Sequence, residues 1–439
     1  MPHSSLFFNF NNNMTDLTLH QEEKFNEIFE LINQGENLIL LKGSAGVGKT
    51  WLVDTIIREL CNIVKPFSIL CSAPTHKALS VIRTKVKASD IKFNTLHSAL
   101  HYKAITNRRD GSKEFISMPN EKNPPLKYMK YWIIDEASMI DTVMLENILY
   151  HSKIQRVTVI FVGDEKQINP VGEDDSPVFL QGFPEVELTE IIRQGEGNPI
   201  ITLSRNLPSI WSKENQLFGT ESENLTGYLY SDNMAKIIEE LAKVNGTDDF
   251  KYLAWTNEEV DKVNSLVRHR LYGDNPAKIE LDETLVMNSP YRSGEYNTNE
   301  EVYVETLVKT KKIFPVLVED AFHKYVSQDL ELEVYLINAD EIVVVAESSM
   351  YAFKQMTYLL NKNAKEGKLS FVCRNAFYDL FADFKYNHAL TVHKSQGSTY
   401  KTTVLNVRNI AMNQNPKEKE RLLYTGVTRS SELLILYNV

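Results

Sequence analysis

The chain has 439 residues, 43% of them apolar and 24% charged. That is the balance of a globular protein with two to four domains, at roughly 100–200 residues each. Its 48 basic and 58 acidic residues leave a net charge of −10, which excludes a histone-like coat on nucleic acid but not a local basic groove. The longest apolar runs, such as Ile313–Val318 and Ile342–Ala346, fall well short of the roughly 18 residues a membrane helix needs. Cys61, Cys71 and Cys373 are odd in number and lack CxxC spacing, which argues against disulfides or a zinc site and for a reduced cytosol. The ten histidines are scattered without ligand spacing.

Met1–Asn13 lacks the cationic and apolar regions of a signal peptide. With its Asn-rich run, the stretch 1–17 reads as a disordered tail, and Met14 as an alternative start. At Thr18-Leu19-His20-Gln21 a capping-box pattern opens a helix, with Phe25, Ile28, Phe29 and Ile32 spaced along one face. Apolar strands then alternate with helical stretches: Asn37–Leu41, Ser68–Ala73, Tyr131–Ile134 and Val157–Val162. Continuous apolar strands separated by helices describe an α/β fold with a parallel sheet covered on both faces. Between Ser89 and Pro125 the pattern breaks into a polar insertion, a hairpin of His101–Thr106 and Lys113–Met118 turning at Asp110-Gly111. Alternation resumes near Asp232, with a strand at Tyr252–Trp255 and a helix at Glu258–Leu271, and ends with His388–Val392 and Leu433–Tyr437. In between, Glu301–Val308, Val316–Val318, Glu331–Ile337 and Glu341–Ala346 are β-type, and Met350–Lys365 is helical. The expected division is a first domain over 18–88 and 126–195, carrying the hairpin at 89–125. A second domain spans 196–278 and 387–439, interrupted at 279–386 by a β-barrel-like insertion with a helical part.

Gly43-Ser44-Ala45-Gly46-Val47-Gly48-Lys49-Thr50 is a full GxxxxGKT between a strand and a helix. Its glycines let successive N–H groups converge on phosphate oxygens, and the helix N-terminus adds partial positive charge. Lys49 is expected on the β/γ-phosphates and Thr50 on Mg²⁺. Asp135 and Glu136 follow the strand Tyr131–Ile134, so Asp135 is expected to hold the metal and Glu136 to act as general base on the attacking water. Together they describe a nucleoside triphosphate hydrolase, and no NKxD-like guanine-reading stretch points to GTP.

Further stretches resemble superfamily-1 helicases of the RecD/Pif-type branch, and among these the small Dda helicases of tailed phages. Ala73-Pro74-Thr75-His76-Lys77-Ala78 is similar to their motif Ia, and Thr95-Leu96-His97-Ser98 to Ib. Asp135-Glu136-Ala137-Ser138-Met139 is similar to motif II. The run Val162 to Val171, with Gly163, Asp164 and Gln167, resembles motif III, and Leu188–Gln194 resembles motif IV. Thr391–Thr399 resembles motif V and Tyr424–Arg429 motif VI. The resemblance implies two RecA-like motor domains closing on one ATP and Mg²⁺. Gln21 would read adenine, a role compatible with its place in the capping box. Gln167 would sense the γ-phosphate, Arg193 and Arg429 would reach it from the closing interface, and Gly397 would let the backbone approach. Single-stranded DNA would pass Pro74, Thr75, His76, Thr95, His97, Thr256, Asn257, Thr391, His393 and Lys394. The hairpin, with Arg108, Arg109, Lys113 and Phe115, would part the strands of a fork.

The implied protein is a monomeric, cytoplasmic helicase (of the host cytoplasm if phage-encoded). It would move 5′ to 3′ on single-stranded DNA, unwind forked duplex, and meet a single-strand-binding or replication protein. A DNA-stimulated remodeler or switch, or the motor subunit of a nuclease complex, is the alternative.

Overall fold

The computed structural model describes residues 17–106, 113–117, 123–190, 198–218, 226–244, 249–292, 296, 298–319, 325–339 and 341–439. The expected tail at 1–16, the hairpin tip with Arg108, Arg109, Asp110 and Gly111, and Arg193 lie outside these residues.

The first α/β unit runs α1 (Leu19–Asn33), β1 (Leu38–Gly43), α2 (Lys49–Ile63), β2 (Ile69–Ala73), α3 (His76–Lys85), β3 (Lys92–Thr95), α4 (Leu96–Ala99), β4 (Tyr102–Thr106), β5 (Lys113–Ser117), β6 (Tyr131–Ile134), α5 (Thr142–Gln155), β7 (Thr158–Gly163) and β8 (Glu185–Leu188). Its main sheet is ordered β3-β2-β6-β7-β1-β8, and every pairing is parallel. Alternate residues of each strand enter different cores. Leu41, Cys71, Ile133, Ile160 and Val162 pack with α1 and α2, whereas Leu40, Leu70, Trp132, Ile134, Val159 and Phe161 pack with α5. Strands buried on both faces have no polar side to show, which is why they read as unbroken apolar runs.

The second unit runs α6 (Pro199–Arg205), β9 (Gln216–Phe218), β10 (Thr226–Ser231), α7 (Met234–Val244), β11 (Phe250–Ala254), α8 (Asn257–Tyr272), then an inserted segment, then β18 (Ala389–Thr391), β19 (Tyr400–Asn406), α11 (Val407–Ala411), α12 (Pro416–Val427) and β20 (Ser430–Tyr437). Its sheet, β18-β11-β19-β20-β10-β9, is parallel apart from the edge strand β9. Leu253, Leu405 and Leu434 face one core, and Tyr252, Ala254 and Val404 the other. The molecule is thus built on two RecA-like α/β units.

The inserted segment holds β12 (Thr284–Met287), β13 (Glu301–Tyr303), β14 (Leu307–Glu319), β15 (Tyr325–Ile337), β16 (Ile342–Val345), α9 (Met350–Lys365), α10 (Phe371–Tyr378) and β17 (Phe384–Tyr386). Among the described residues these strands do not close into one ring. They form two three-stranded antiparallel sheets, β13-β12-β17 and β14-β15-β16, that share a core of Leu285, Met287, Val302, Tyr335, Ile337 and Val344. The hairpin β14–β15 pairs over 13 positions, too long for its far end to stay on that core, so Val316 packs instead with Met356 and Phe377 of α9 and α10. A buried ion pair, Arg268 Nε to Glu283 Oε1 at 2.6 Å, ties α8 to this segment.

Candidate active site and nucleic-acid track

In a parallel sheet all strand C-termini lie on one edge, where loops converge. Because β6, β7 and β1 are neighbours, Asp135-Glu136, Asp164–Gln167 and Ser44–Gly48 come together there. There they border a cleft of about 500 Å³ whose walls include Ser44, Ala45, Gly46, Gly48, Lys49, Thr50, Asp135, Glu136 and Gln167 from the first unit, and Gly397, Ser398, Thr399 and Arg429 from the second. One residue of the phosphate loop points elsewhere: Val47 is buried in the core beside α2 and anchors the loop.

The loop turns through Gly46 and Gly48 with φ +85° and +81°, a left-handed backbone that residues with a Cβ adopt only under strain. Lys49 folds back over it, its Nζ donating to the carbonyls of Gly43 and Ser44. Glu136 is itself left-handed, with φ 54°, and this turn directs it off the end of β6. Burial pushes its carboxyl up to about 7, and the charge of Asp135 acts in the same direction, against Arg429 and Lys49. A carboxylate titrating near neutrality is well matched to take a proton from water.

Gln167 is 5% exposed, and its Oε1 has no hydrogen-bond partner among the described residues. Arg429 is equally buried and enters from the other side. Its Nε donates to Thr425 O (3.1 Å), Nη1 to Ser398 O (3.0 Å) and Nη2 to Thr428 Oγ1 (3.2 Å). Three of its five N–H groups therefore orient it from its own unit.

Gly397 supplies a close approach, since a Cβ there would lie 2.8 Å from Cβ of Ala78; the two units meet at this point. Gln21 forms the expected capping box with Thr18. It is buried, and its Nε2 has no partner among the described residues, but it lies outside the residues lining the cleft. The cleft also takes in Trp51, Asp54 and Lys87, which the motifs did not mark.

Thr50 and Asp135 both line the cleft, and the described residues hold no cluster of three or more acidic, His or Cys ligands. That set suits Mg²⁺, which is commonly held by one or two protein oxygens together with substrate phosphates and water.

The track candidates follow the outer strands of both sheets. Pro74, Thr75 and His76 follow β2, while Thr95 and His97 follow or end β3. In the second unit Thr256 and Asn257 follow β11, Thr391 ends β18, and His393 and Lys394 follow it. Since β3-β2 and β18-β11 are matching edge pairs, the two groups occupy equivalent positions. Thr75, Thr95 and Thr256 cap α3, α4 and α8, accepting from Ala78, Ser98 and Glu259 N–H. A capping hydroxyl accepts with a lone pair and keeps its proton to donate, so capping and phosphate contact are compatible.

His76 is exposed, whereas His97 stacks edge-on to Tyr102, ring centroids 5.5 Å apart. His393 Nε2 lies 3.8 Å from Glu418 Oε1. Lys394 Nζ donates to Asn288 (3.3 Å), and Asn257 accepts from Lys385 (3.2 Å). Burial and the nearby Lys385 hold the Lys394 ammonium below the usual lysine range. Lys385, on β17, is a cation that the motifs missed, because only the fold brings the inserted segment back to α8. Phe115 lies on β5 opposite Ala104 of β4.

Sequence reasoning also gave no role to Tyr424, which opens the Tyr424–Arg429 stretch. Its hydroxyl donates to Asp164 Oδ2 (2.7 Å) and accepts from the Ala45 N–H of the phosphate loop (3.1 Å). One phenol thus joins two catalytic-edge loops of the first unit to the second.

A phosphate loop, a paired-acid strand end and an arginine from a second RecA-like unit define a P-loop nucleoside triphosphatase with one composite site. Residues 19–209 match the AAA domain family, and residues 386–437 match the UvrD-like helicase C-terminal domain family. The chain is 27% identical to the ATP-dependent DNA helicase dda of Enterobacteria phage T4 over 453 residues, covering 94% of this chain and 97% of that protein. It is 26% identical to the uncharacterized protein R530 of Acanthamoeba polyphaga mimivirus, over 94% of this chain and 98% of that one. It is 25% identical to the RecBCD enzyme subunit RecD of Buchnera aphidicola subsp. Schizaphis graminum, over 98% and 74%. In fold it is similar to a solved Pif1 helicase, studied for DNA unwinding at forked duplex DNA, with a TM-score of 0.51 at 17% identity over 95% of this chain and 91% of that one. The chain is thus similar to superfamily-1 helicases of the RecD/Pif branch. None of the described helices is long and apolar enough to cross a membrane.

Proposed function

We propose that this chain is an ATP-dependent DNA helicase that moves 5′ to 3′ on single-stranded DNA and unwinds forked duplex. The observation that carries this reading is the shared cleft, in which Lys49, Glu136 and Gln167 of one unit meet Arg429 of the other. Lys49 holds the β/γ-phosphates and Glu136 accepts the proton of the attacking water. Gln167 contacts the γ-phosphate, and Arg429 meets the charge that spreads over it in the transition state. Thr50 and Asp135 would hold Mg²⁺, which supplies neutralisation of phosphate charge. Gln21, whose Nε2 has no partner among the described residues, contacts adenine. Hydrolysis then opens and closes the interface under a strand lying on the hydroxyls and cations that follow β2, β3, β11 and β18. Such contacts position a strand without reading its sequence. The polarity and the strand-parting role of the β4–β5 hairpin come from the family resemblance. The similarity to the RecBCD subunit RecD supports, as a second reading, service as the motor subunit of a larger complex.

The test is ATP turnover with and without single-stranded DNA, measured across pH. Single strands should stimulate turnover. A raised carboxyl pKa means that Glu136 is protonated, and inactive as a base, below about pH 7 and ionised above it. The kcat/KM for ATP should therefore rise through about pH 7 and level off, because that ratio reports the free enzyme. A DNA-insensitive rate, or a profile flat from about pH 5.5 to 8, contradicts the assignment.

A further inference from the structure

The loop carrying Gln167 belongs to the first unit, yet second-unit side chains hold it throughout. On α12, the two N–H groups of Arg421 Nη1 are shared among Glu165 O (2.7 Å), Gln167 O (3.1 Å) and Asn169 Oδ1 (2.7 Å). Its Nη2 donates to Asp175 Oδ1 at 2.9 Å. Tyr424 grips Asp164 at the start of the loop, and Gln396 Nε2 donates to Ile168 O at 3.1 Å. The Gln167 amide oxygen has no partner of its own among the described residues, so its placement rests on the grip on its backbone.

The same helix reaches the candidate DNA track. Glu418, one turn before Arg421, lies beside His393. Residues 418, 421 and 424 follow i, i+3 spacing and so share one helix face. That face touches the track at one end, the γ-phosphate loop in its middle and, through Tyr424, the phosphate loop beyond.

We propose that Arg421 is a positioning residue that couples occupancy of the DNA track to the placement of Gln167 against the γ-phosphate. This rests on the helicase reading above. Coupling needs one element that both sites can bias, and α12 contacts both of them. The guanidinium matters because its two nitrogens reach apart, Nη1 towards Glu165, Gln167 and Asn169 and Nη2 towards Asp175; an ammonium, with its donors on a single nitrogen, cannot serve both sides.

The experiment measures steady-state ATP turnover by the full chain as wild type, Arg421→Met and Arg421→Lys, without DNA and with saturating oligo(dT). Thermal midpoints and oligo(dT) affinity are measured alongside. In Arg421→Met the DNA-stimulated kcat should fall by about tenfold or more, the scale of a typical coupling free energy. Its unstimulated kcat should fall far less than that, and its KM for ATP and its affinity for oligo(dT) should stay near wild type. Arg421→Lys keeps the charge and folds under milder perturbation, and it should lie between the two. Stimulated and unstimulated rates falling by one common factor in both variants would mean that Arg421 serves chemistry or folding, and would overturn the coupling. So would undiminished stimulation. A wild type that single strands do not stimulate overturns the helicase reading along with it, whereas a stimulated wild type with equally stimulated variants overturns the coupling alone.

Discussion

Replacing Arg429 with alanine should lower DNA-stimulated ATP turnover by about 10³-fold or more, the scale of an arginine that meets transition-state charge on a γ-phosphoryl group. The side chain is pre-aimed by Thr425, Ser398 and Thr428, so the wild type spends little entropy in orienting it. ATP binding should change far less, because the contact strengthens as charge develops. Arg429→Lys should recover only a small part of the rate, since an ammonium cannot keep three orienting bonds and still reach the phosphate. Comparing kcat and KM for ATP at saturating single-stranded DNA checks this. Turnover within about threefold of wild type would remove Arg429 from the transition state.

Lys49→Ala should have an effect of similar size by a different route. Lys49 carries the loop's own positive charge and is bonded to the Gly43 and Ser44 carbonyls, an arrangement a phosphate can exchange for itself. Its loss removes a charge-assisted contact from a water-excluded site, which lowers turnover by about 10²–10³-fold at least. Binding of single strands without nucleotide should persist, because the hydroxyls and lysines following β2, β3, β11 and β18 are separate from the phosphate loop. Fluorescence anisotropy of labelled oligo(dT), measured beside ATP turnover, checks both halves. Sustained turnover contradicts the phosphate-loop role; lost DNA binding contradicts the separation of the two surfaces.

Local features were legible where the chemistry is local. The capping box at Thr18 and Gln21 and the apolar face of α1 declare themselves within a few residues. The strands around the phosphate loop were legible because burial on both faces leaves no polar alternation. Helix α9 spans Met350–Lys365, as its composition indicates. Other strands were hidden. Lys92–Thr95 and Glu185–Leu188 are short and polar, held by their neighbours' ladders rather than by their own propensity. The inserted strands were partly visible, but their division into two sheets depends on pairings that no local pattern encodes.

The cleft shows the same division. Lys49, Asp135, Glu136 and Arg429 stand in motifs and line one space. Tyr424 and Arg421 act across 379 and 256 residues of chain, and several of their partners are backbone groups, which leave no residue-type signature. Arg193 falls outside the described residues.

In the proposed function, ATP turnover in this cleft is converted into strand separation. Its most direct test is strand displacement by the wild-type chain from duplexes with a single 5′ or a single 3′ single-stranded tail, in ATP and Mg²⁺, with Lys49→Ala as control. Displacement of the 5′-tailed duplex alone, absent in the control, is the expected result. Vigorous single-strand-stimulated hydrolysis with neither duplex opened, or opening of the 3′-tailed duplex alone, would contradict it.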